Sequence, residues 1–175
     1  MILPKTKLIV LRGPSGSGKS SVAKAVRAAW DQPMALIEQD YHRRILLSNE
    51  GISPDLNIEL IKRTVLFAFE HSLDVIMEGI FRAKHHEKMF AELVQQHPAN
   101  NHFFYFDVSF EETIRRHQHR AEKNEFGEKE MRTWYKKQNF LSCTQEIQIP
   151  ESNSLQQTIK FITAACKRKA PFTYS

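Results

Sequence analysis

The sequence predicts an α/β protein built on a five-stranded parallel sheet with helices on both faces. Two observations carry that expectation. Short apolar runs alternate with longer stretches whose apolar residues fall on helical spacing, the pattern of consecutive strand–helix–strand units. Between the first run and the first helical stretch lies Gly13-Pro-Ser-Gly-Ser-Gly-Lys-Ser20, which fits G-x-x-x-x-G-K-[ST] in the strand–loop–helix context that pattern needs.

Taken in order, Lys7-Leu-Ile-Val-Leu11 is apolar and β-branched, as a buried strand is. Ser21 to Trp30, rich in Ala, Lys and Arg, is the helix behind the glycine loop. Ala35-Leu-Ile-Glu38 is a short second strand ending in Gln39-Asp40. A polar stretch with Gly51 and Pro54 leads into a helix over about Leu56 to His71, where Leu60, Ile61, Val65, Leu66 and Phe69 keep helical spacing. Asp74-Val-Ile-Met-Glu-Gly79 is the third strand, with an acid at its C-terminal end, and Lys84 to Gln96 is helical up to Pro98. His102-Phe-Phe-Tyr-Phe-Asp107 is an aromatic fourth strand. Ser109-Phe-Glu-Glu112 has the form of a capping box, Ser109 over the first turn and Glu112 reaching back, and opens a helix into Arg115-Arg-His-Gln-His-Arg120. Ala121 to Glu130 is a polar loop, Met131 to Phe140 is helical, and Ile147-Gln-Ile149 is the fifth strand. A closing helix runs from Leu155 to Cys166, capped by Ser152, Asn153 or Ser154, before a basic tail.

The 175 residues suffice for one domain with a substantial core, so residues 1–175 are expected to form a single unit. Hydrophobic residues at 41 % and charged residues at 26 % are the balance of an ordinary globular protein. No apolar run reaches the length of a membrane span, and Met1 to Lys5 lacks the apolar core of a secretory signal, so a cytoplasmic location is expected. Cys143 and Cys166 match no metal or redox spacing. The net charge of +5 suits anionic ligands without arguing for nucleic acid.

The glycine loop points to bound phosphate. Glycines let successive backbone N–H groups turn inward around phosphate oxygens, and the helix start adds partial positive charge. Gly13, Pro14, Ser15, Gly16, Ser17, Gly18 and Ser21 are therefore the expected cradle, with Lys19 reaching the outer phosphates and the Ser20 hydroxyl ligating Mg²⁺. In open parallel sheets ligands collect at the carboxyl ends of the strands, which makes Asp40, Glu78 and Asp107 candidates. Asp40 is expected to face the outermost phosphate, holding the Mg²⁺ shell or accepting a proton from an attacking hydroxyl. Carboxylates are weak bases at neutral pH, but a loose transition state needs the nucleophile oriented more than ionised.

Glu78 is expected near the metal or as a substrate ligand, with Gly79 admitting a ligand close to the backbone. Arg82 and Arg44 are substrate candidates, although Arg43 and Arg44 fit a solvated helix equally well. Arg116 and Arg120, four apart, share a helix face and form the candidate clamp of a lid over about 116–140. Asp107 reads as structural, Trp134 and Tyr135 as packing, and His85, His86, His117 and His119 as outside any site.

These residues, in this order, resemble the phosphate-loop kinase superfamily, including gluconate kinases, chloramphenicol phosphotransferase and zeta-toxin-like kinases. The resemblance implies a three-layer α/β/α fold with strand order 2-3-1-4-5, ATP as phosphate donor, Mg²⁺, a closing lid, and a loop around Ile149 to Ser154 bordering the adenine. It implies transfer of the ATP γ-phosphate to a hydroxyl of a small molecule. The alternatives are an ATP-binding regulatory or toxin-like module, or a nucleotide or polynucleotide kinase. Transporter ATPases are disfavoured because Leu47-Ser-Asn-Glu-Gly51 poorly matches their signature, GTPases because Asn-Lys-x-Asp is absent, and dehydrogenases because Gly13, Gly16 and Gly18 do not form G-x-G-x-x-G.

Overall fold

The computed structural model describes residues 6–48, 51, 53–119 and 126–167. Its strands are β1 (Leu8–Arg12), β2 (Met34–Glu38), β3 (Asp74–Gly79), β4 (Asn101–Asp107) and β5 (Ile147–Pro150). They pair in parallel throughout, in the order β2-β3-β1-β4-β5. The helices are α1 (Lys19–Ala28), α2 (Gln39–Tyr41), α3 (Pro54–Glu70), α4 (Ala83–Gln96), α5 (Phe110–His117), α6 (Glu128–Trp134) and α7 (Leu155–Lys167). The expected α/β architecture and its strand order are both borne out.

Strand side chains alternate between faces, and each face here is covered by helices. Leu8 and Val10 of β1 and Val75 and Met77 of β3 pack with Ile61, Val65 and Phe69 of α3 and Phe90 and Leu93 of α4. Ile9, Leu11 and Ile76 face the opposite layer, with Val22 and Val26 of α1 and Ile162 and Cys166 of α7. Burial on both faces is why β1 and β3 read as continuous apolar runs.

Three local expectations need correcting. The second strand does not run on into Gln39-Asp40: β2 ends at Glu38, because α2 starts at once and continues as a π-helical turn over His42–Leu46. His42 Nδ1 bonds the Glu38 carbonyl at 2.9 Å and Leu47 N–H donates to the His42 carbonyl at 3.1 Å, which holds that widened turn. The helix expected over Met131 to Phe140 is α6, and it begins earlier and ends at Trp134. Gly127 N–H donates to the Glu130 carboxylate at 2.9 Å, and Tyr135 turns extended with its hydroxyl donating to the Val108 carbonyl at 3.1 Å. The capping box of α5 is half formed: Ser109 Oγ accepts from Glu112 N–H at 3.3 Å, but Ser109 N–H donates to Glu151 at 2.7 Å. Glu112 is drawn instead to Arg115 and Arg116. At α7 the reciprocal pair does form, between Ser154 and Gln157.

One residue past the expected end of β1, Arg12 is fully buried. It makes a two-pronged ion pair with Glu146 at 2.6 and 2.7 Å, donates to the Phe81 carbonyl at 2.7 and 3.1 Å, and donates to the Asn139 carbonyl at 3.0 Å. Its guanidinium lies between the rings of Phe90 and Tyr105, 6.0 and 5.8 Å from their centroids. The segment after α6 is irregular in backbone, yet Arg12 bolts it to the centre of the sheet.

Candidate functional site

The strand ends carry the site. The loop between β1 and α1 turns through Gly16 at φ 80° and Gly18 at φ 98°, conformations that favour glycine. A Cβ at Gly16 would lie 2.8 Å from the Thr113 carbonyl oxygen, so α5 packs directly on the loop backbone. Lys19, buried at the start of α1, folds back to donate to the Pro14 carbonyl at 2.7 Å and the Ser17 hydroxyl at 3.3 Å. Ser20 Oγ donates to Glu78 Oε1 at 3.0 Å. The parallel register sets Leu11 beside Glu78, and this places the end of β3 under the loop.

Glu78 is buried, and burial pushes its carboxyl above the ordinary range. The Lys19 ammonium and the Ser20 hydrogen bond pull it back, while Asp40 and Glu38 push it further up. A divalent cation beside it would relieve that cost. Serine hydroxyl and carboxylate oxygens are the hard donors Mg²⁺ takes, commonly one or two from protein with the rest from phosphate and water. Ser20 and Glu78 fit that ion.

One face of the loop opens on a cavity of about 450 Å³ lined by Ser17, Gly18, Ser21, Val108, Ile149 and Ser152 among others. Arg116 reaches across its edge: Nη1 donates to the Ser17 carbonyl at 2.8 Å, Nη2 to the Glu151 carbonyl at 2.9 Å, and Nε to Glu112 at 2.6 Å. The two arginines beside it hold the Glu112 carboxyl down at about 2. Arg116 thus touches the phosphate loop itself; Arg120, its expected partner, lies outside the described residues, as do residues 121–125 of the expected lid.

The other face opens on a larger cavity of about 630 Å³, to which Ser15 of the loop, Asp40, Arg44, Arg82 and Trp134 contribute. Asp40 is exposed at this cavity and accepts from Arg43 at 3.3 Å. It sits with the substrate candidates rather than within the Ser20–Glu78 pair. Arg82 donates to the Trp134 carbonyl at 3.3 Å. Trp134 packs its ring edge-on to Phe126 at 5.0 Å, as the packing reading expects.

Gln39, His85 and His86 of this wall escaped the sequence. Gln39 Oε1 accepts from Phe81 N–H at 3.0 Å, and its amide donates to His86 Nε2 at 3.1 Å, while His86 Nδ1 donates to the Arg82 carbonyl at 3.0 Å. The chain of bonds assigns the tautomer. Burial draws His86 down to about 4, so the ring is neutral near pH 7. Both His85 and His86 line the cavity, against expectation. The available signal was the i, i+4 spacing of Arg82 and His86 at the start of α4. Gly79, expected to admit a ligand, instead admits Gln39: a Cβ there would meet Gln39 Oε1 at 2.5 Å. Phe81 holds φ at 36°, a strained value for a side-chain-bearing residue, with Gln39 on its N–H and Arg12 on its carbonyl.

The family described as AAA domain (AAA_33) matches residues 8–140. No curated protein matches the chain. Among solved structures, the protein APE1195 superimposes with a TM-score of 0.71 at 20 % identity, over 95 % of this chain and 98 % of that one. The adenosine phosphosulfate (APS) kinase CysC of Mycobacterium tuberculosis, in complex with AMPPNP and APS, gives 0.69 at 16 % identity over 95 % and 100 %. A gluconokinase from Sinorhizobium meliloti 1021 gives 0.65 at 18 % identity over 91 % of each chain. At these identities the likeness is one of fold. The chain belongs to the AAA domain family, and its fold is that of the phosphate-loop kinases.

Proposed function

We propose that this protein is an ATP- and Mg²⁺-dependent phosphotransferase of the cytoplasm that moves the γ-phosphate of ATP onto a hydroxyl of a small molecule. The observation that carries the reading is the position of the phosphate loop as a wall shared by two cavities. Ser17, Gly18 and Ser21 border one and Ser15 borders the other, while Lys19 folds back on the loop at Pro14 and Ser20 ties its end to Glu78. A transferring phosphoryl group needs that arrangement, with its donor on one side and its acceptor on the other. The structures of CysC with AMPPNP and of the gluconokinase add support at the level of fold.

In this reading the loop amides and Lys19 bind the outer phosphates, and Arg116 fixes the loop at Ser17. Ser20 and Glu78 are the residues that would hold Mg²⁺, which supplies charge neutralisation at the phosphate oxygens. Asp40 orients the acceptor hydroxyl. A bond forms from that oxygen to phosphorus and the bond from phosphorus to the β-bridging oxygen breaks. ADP leaves, and the hydroxyl proton passes to Asp40 and then to solvent.

The test follows labelled phosphate from γ-labelled ATP in the presence of a metabolite extract. Label on a small molecule is the expected result, with Lys19→Ala lowering the rate by about 10²-fold or more. Label only on water marks an ATPase, and label on RNA or DNA ends marks a polynucleotide kinase; either overturns the proposal.

A further inference from the structure

We infer that the acceptor carries at least one hydroxyl besides the one that is phosphorylated, and that the side-chain amide of Asn57 binds it. Asn57 is then the residue that selects polyhydroxy acceptors. The inference rests on the phosphotransferase reading above and names the substrate class of the same site.

The first turn of α3 is its foundation. The buried stripe of this helix runs through Asn57, Ile61, Val65, Ala68 and Phe69, the spacing of a core-facing side. Ile61, Val65 and Phe69 pack in the core with the sheet. One turn earlier the pattern inverts: Asn57 lies inside at 6 % exposure while its apolar neighbour Leu56 lies outside at 49 %. Helix capping does not account for the asparagine, because Ser53 is the N-cap and its hydroxyl accepts from Asp55 N–H at 3.2 Å. A polar residue in a core position is a fault of patterning unless it serves a site, and such breaks gather at sites.

Hydrogen bonding singles out the same residue. Four buried side-chain atoms have no partner among the described residues: Asn57 Oδ1, His102 Nε2, His117 Nδ1 and Thr163 Oγ1. Of these four residues, Asn57 is the one that lines the cavity of Asp40. A buried carbonyl left unmet is costly, and a molecule in that cavity is placed to meet it. The terminal torsion of asparagine is soft, so either end of the amide can turn to the cavity.

The chemistry of the amide sets the class of ligand. It offers an acceptor and a donor side by side, which hydroxyls complete by donating to Oδ1 and accepting from Nδ2. Assigning oxygen and nitrogen the other way round only exchanges those two roles. A carboxylate, phosphate or ketone offers acceptors alone and leaves Oδ1 desolvated and unmet, and an apolar group meets neither end. The cavity of about 630 Å³ has the volume of a small-molecule site. Asp40 stands exposed in it for the hydroxyl that takes the phosphoryl group, and Asn57 holds another part of the same compound.

The full chain with ATP, Mg²⁺ and a cell metabolite extract supplies the acceptor, identified from its phosphorylated product by accurate mass and NMR. An acceptor with no hydroxyl besides the phosphorylated one overturns the inference and leaves the phosphotransferase reading standing. Transfer to no metabolite overturns that reading and the Asn57 assignment with it. The decisive comparison uses deoxy analogues of that acceptor, each lacking one of its other hydroxyls. One such removal should raise the wild-type KM by about tenfold or more, yet change the KM of Asn57→Leu by less than about threefold. Asn57→Leu should itself raise the KM of the intact acceptor by about tenfold, with nucleotide affinity unchanged. Asn57→Ala serves if Asn57→Leu does not fold. If every removal costs wild type and variant equally, or the variant binds the intact acceptor as wild type does, the assignment is contradicted.

Discussion

The proposed nucleotide side and the proposed acceptor side of this site share one row of strand ends, but they are made of different material. On the nucleotide side, eight consecutive residues, Gly13 to Ser20, shape a backbone surface, and α5 seals it by packing on Gly16 and donating from Arg116 to the Ser17 carbonyl. On the acceptor side the wall is side chains brought from four places: Gln39 to Leu47, Asn57, Ile80 to His86, and Phe126 with Trp134. Backbone recognition depends on φ and ψ, which the three glycines of one short segment, Gly13, Gly16 and Gly18, set locally. Side-chain recognition depends on which loops the sheet order places together.

Arg12 lies beneath both sides, and removing it should break the comparison most severely. Arg12→Met leaves Glu146 buried beside no cation, at an expected cost of about 3–5 kcal/mol in urea unfolding. Because Arg12 also holds the Phe81 carbonyl, the variant should lose affinity for the acceptor before it loses affinity for nucleotide. A loss below about 1 kcal/mol would show that the ion pair does not organise the wall.

Two glycine substitutions separate the sides. Gly16→Ala forces a Cβ onto a residue at φ 80° and toward the Thr113 carbonyl, for a cost of at least about 1–2 kcal/mol and a weaker grip on MgATP. Gly79→Ala meets Gln39 instead. It should raise the acceptor KM while leaving nucleotide affinity near wild type, as paired calorimetric and kinetic titrations would show. Equal effects of the two on both ligands would erase the distinction.

A smaller effect is expected with pH. Burial draws both His86 and His102 down to about 4, from ordinary values near 6.5. The unfolded chain takes up protons below 6.5 that the folded chain refuses until about 4, so stability falls as pH falls through that window and is unaffected by these groups above it. Each contributes at most about 1.4 kcal/mol per pH unit. His102→Leu should remove about half of this slope without touching the acceptor wall; an unchanged slope would show that His102 titrates normally.

The strand, loop and helix around Gly13 to Ser20, the proposed nucleotide side, were almost entirely legible in the sequence, since the motif is contiguous and its flanks read as strand and helix. Sheet order followed from resemblance to a known fold. The acceptor wall was only partly legible. Asp40, Arg44 and Arg82 stood out as charged residues after strands, but Gln39 and His86 gave no local sign of meeting across Gly79. Arg12 looked like an ordinary residue after an apolar strand, because its partner Glu146 is 134 positions away. Glu112 matched a capping pattern and was taken by two arginines one turn on, a competition that spacing alone does not decide.

Calorimetric titration of the folded protein with AMPPNP and Mg²⁺ tests the central claim most directly. The account predicts one saturable site that Lys19→Ala removes while Arg82→Met leaves it intact. Absence of binding at millimolar nucleotide, or binding that survives Lys19→Ala unchanged, would contradict it.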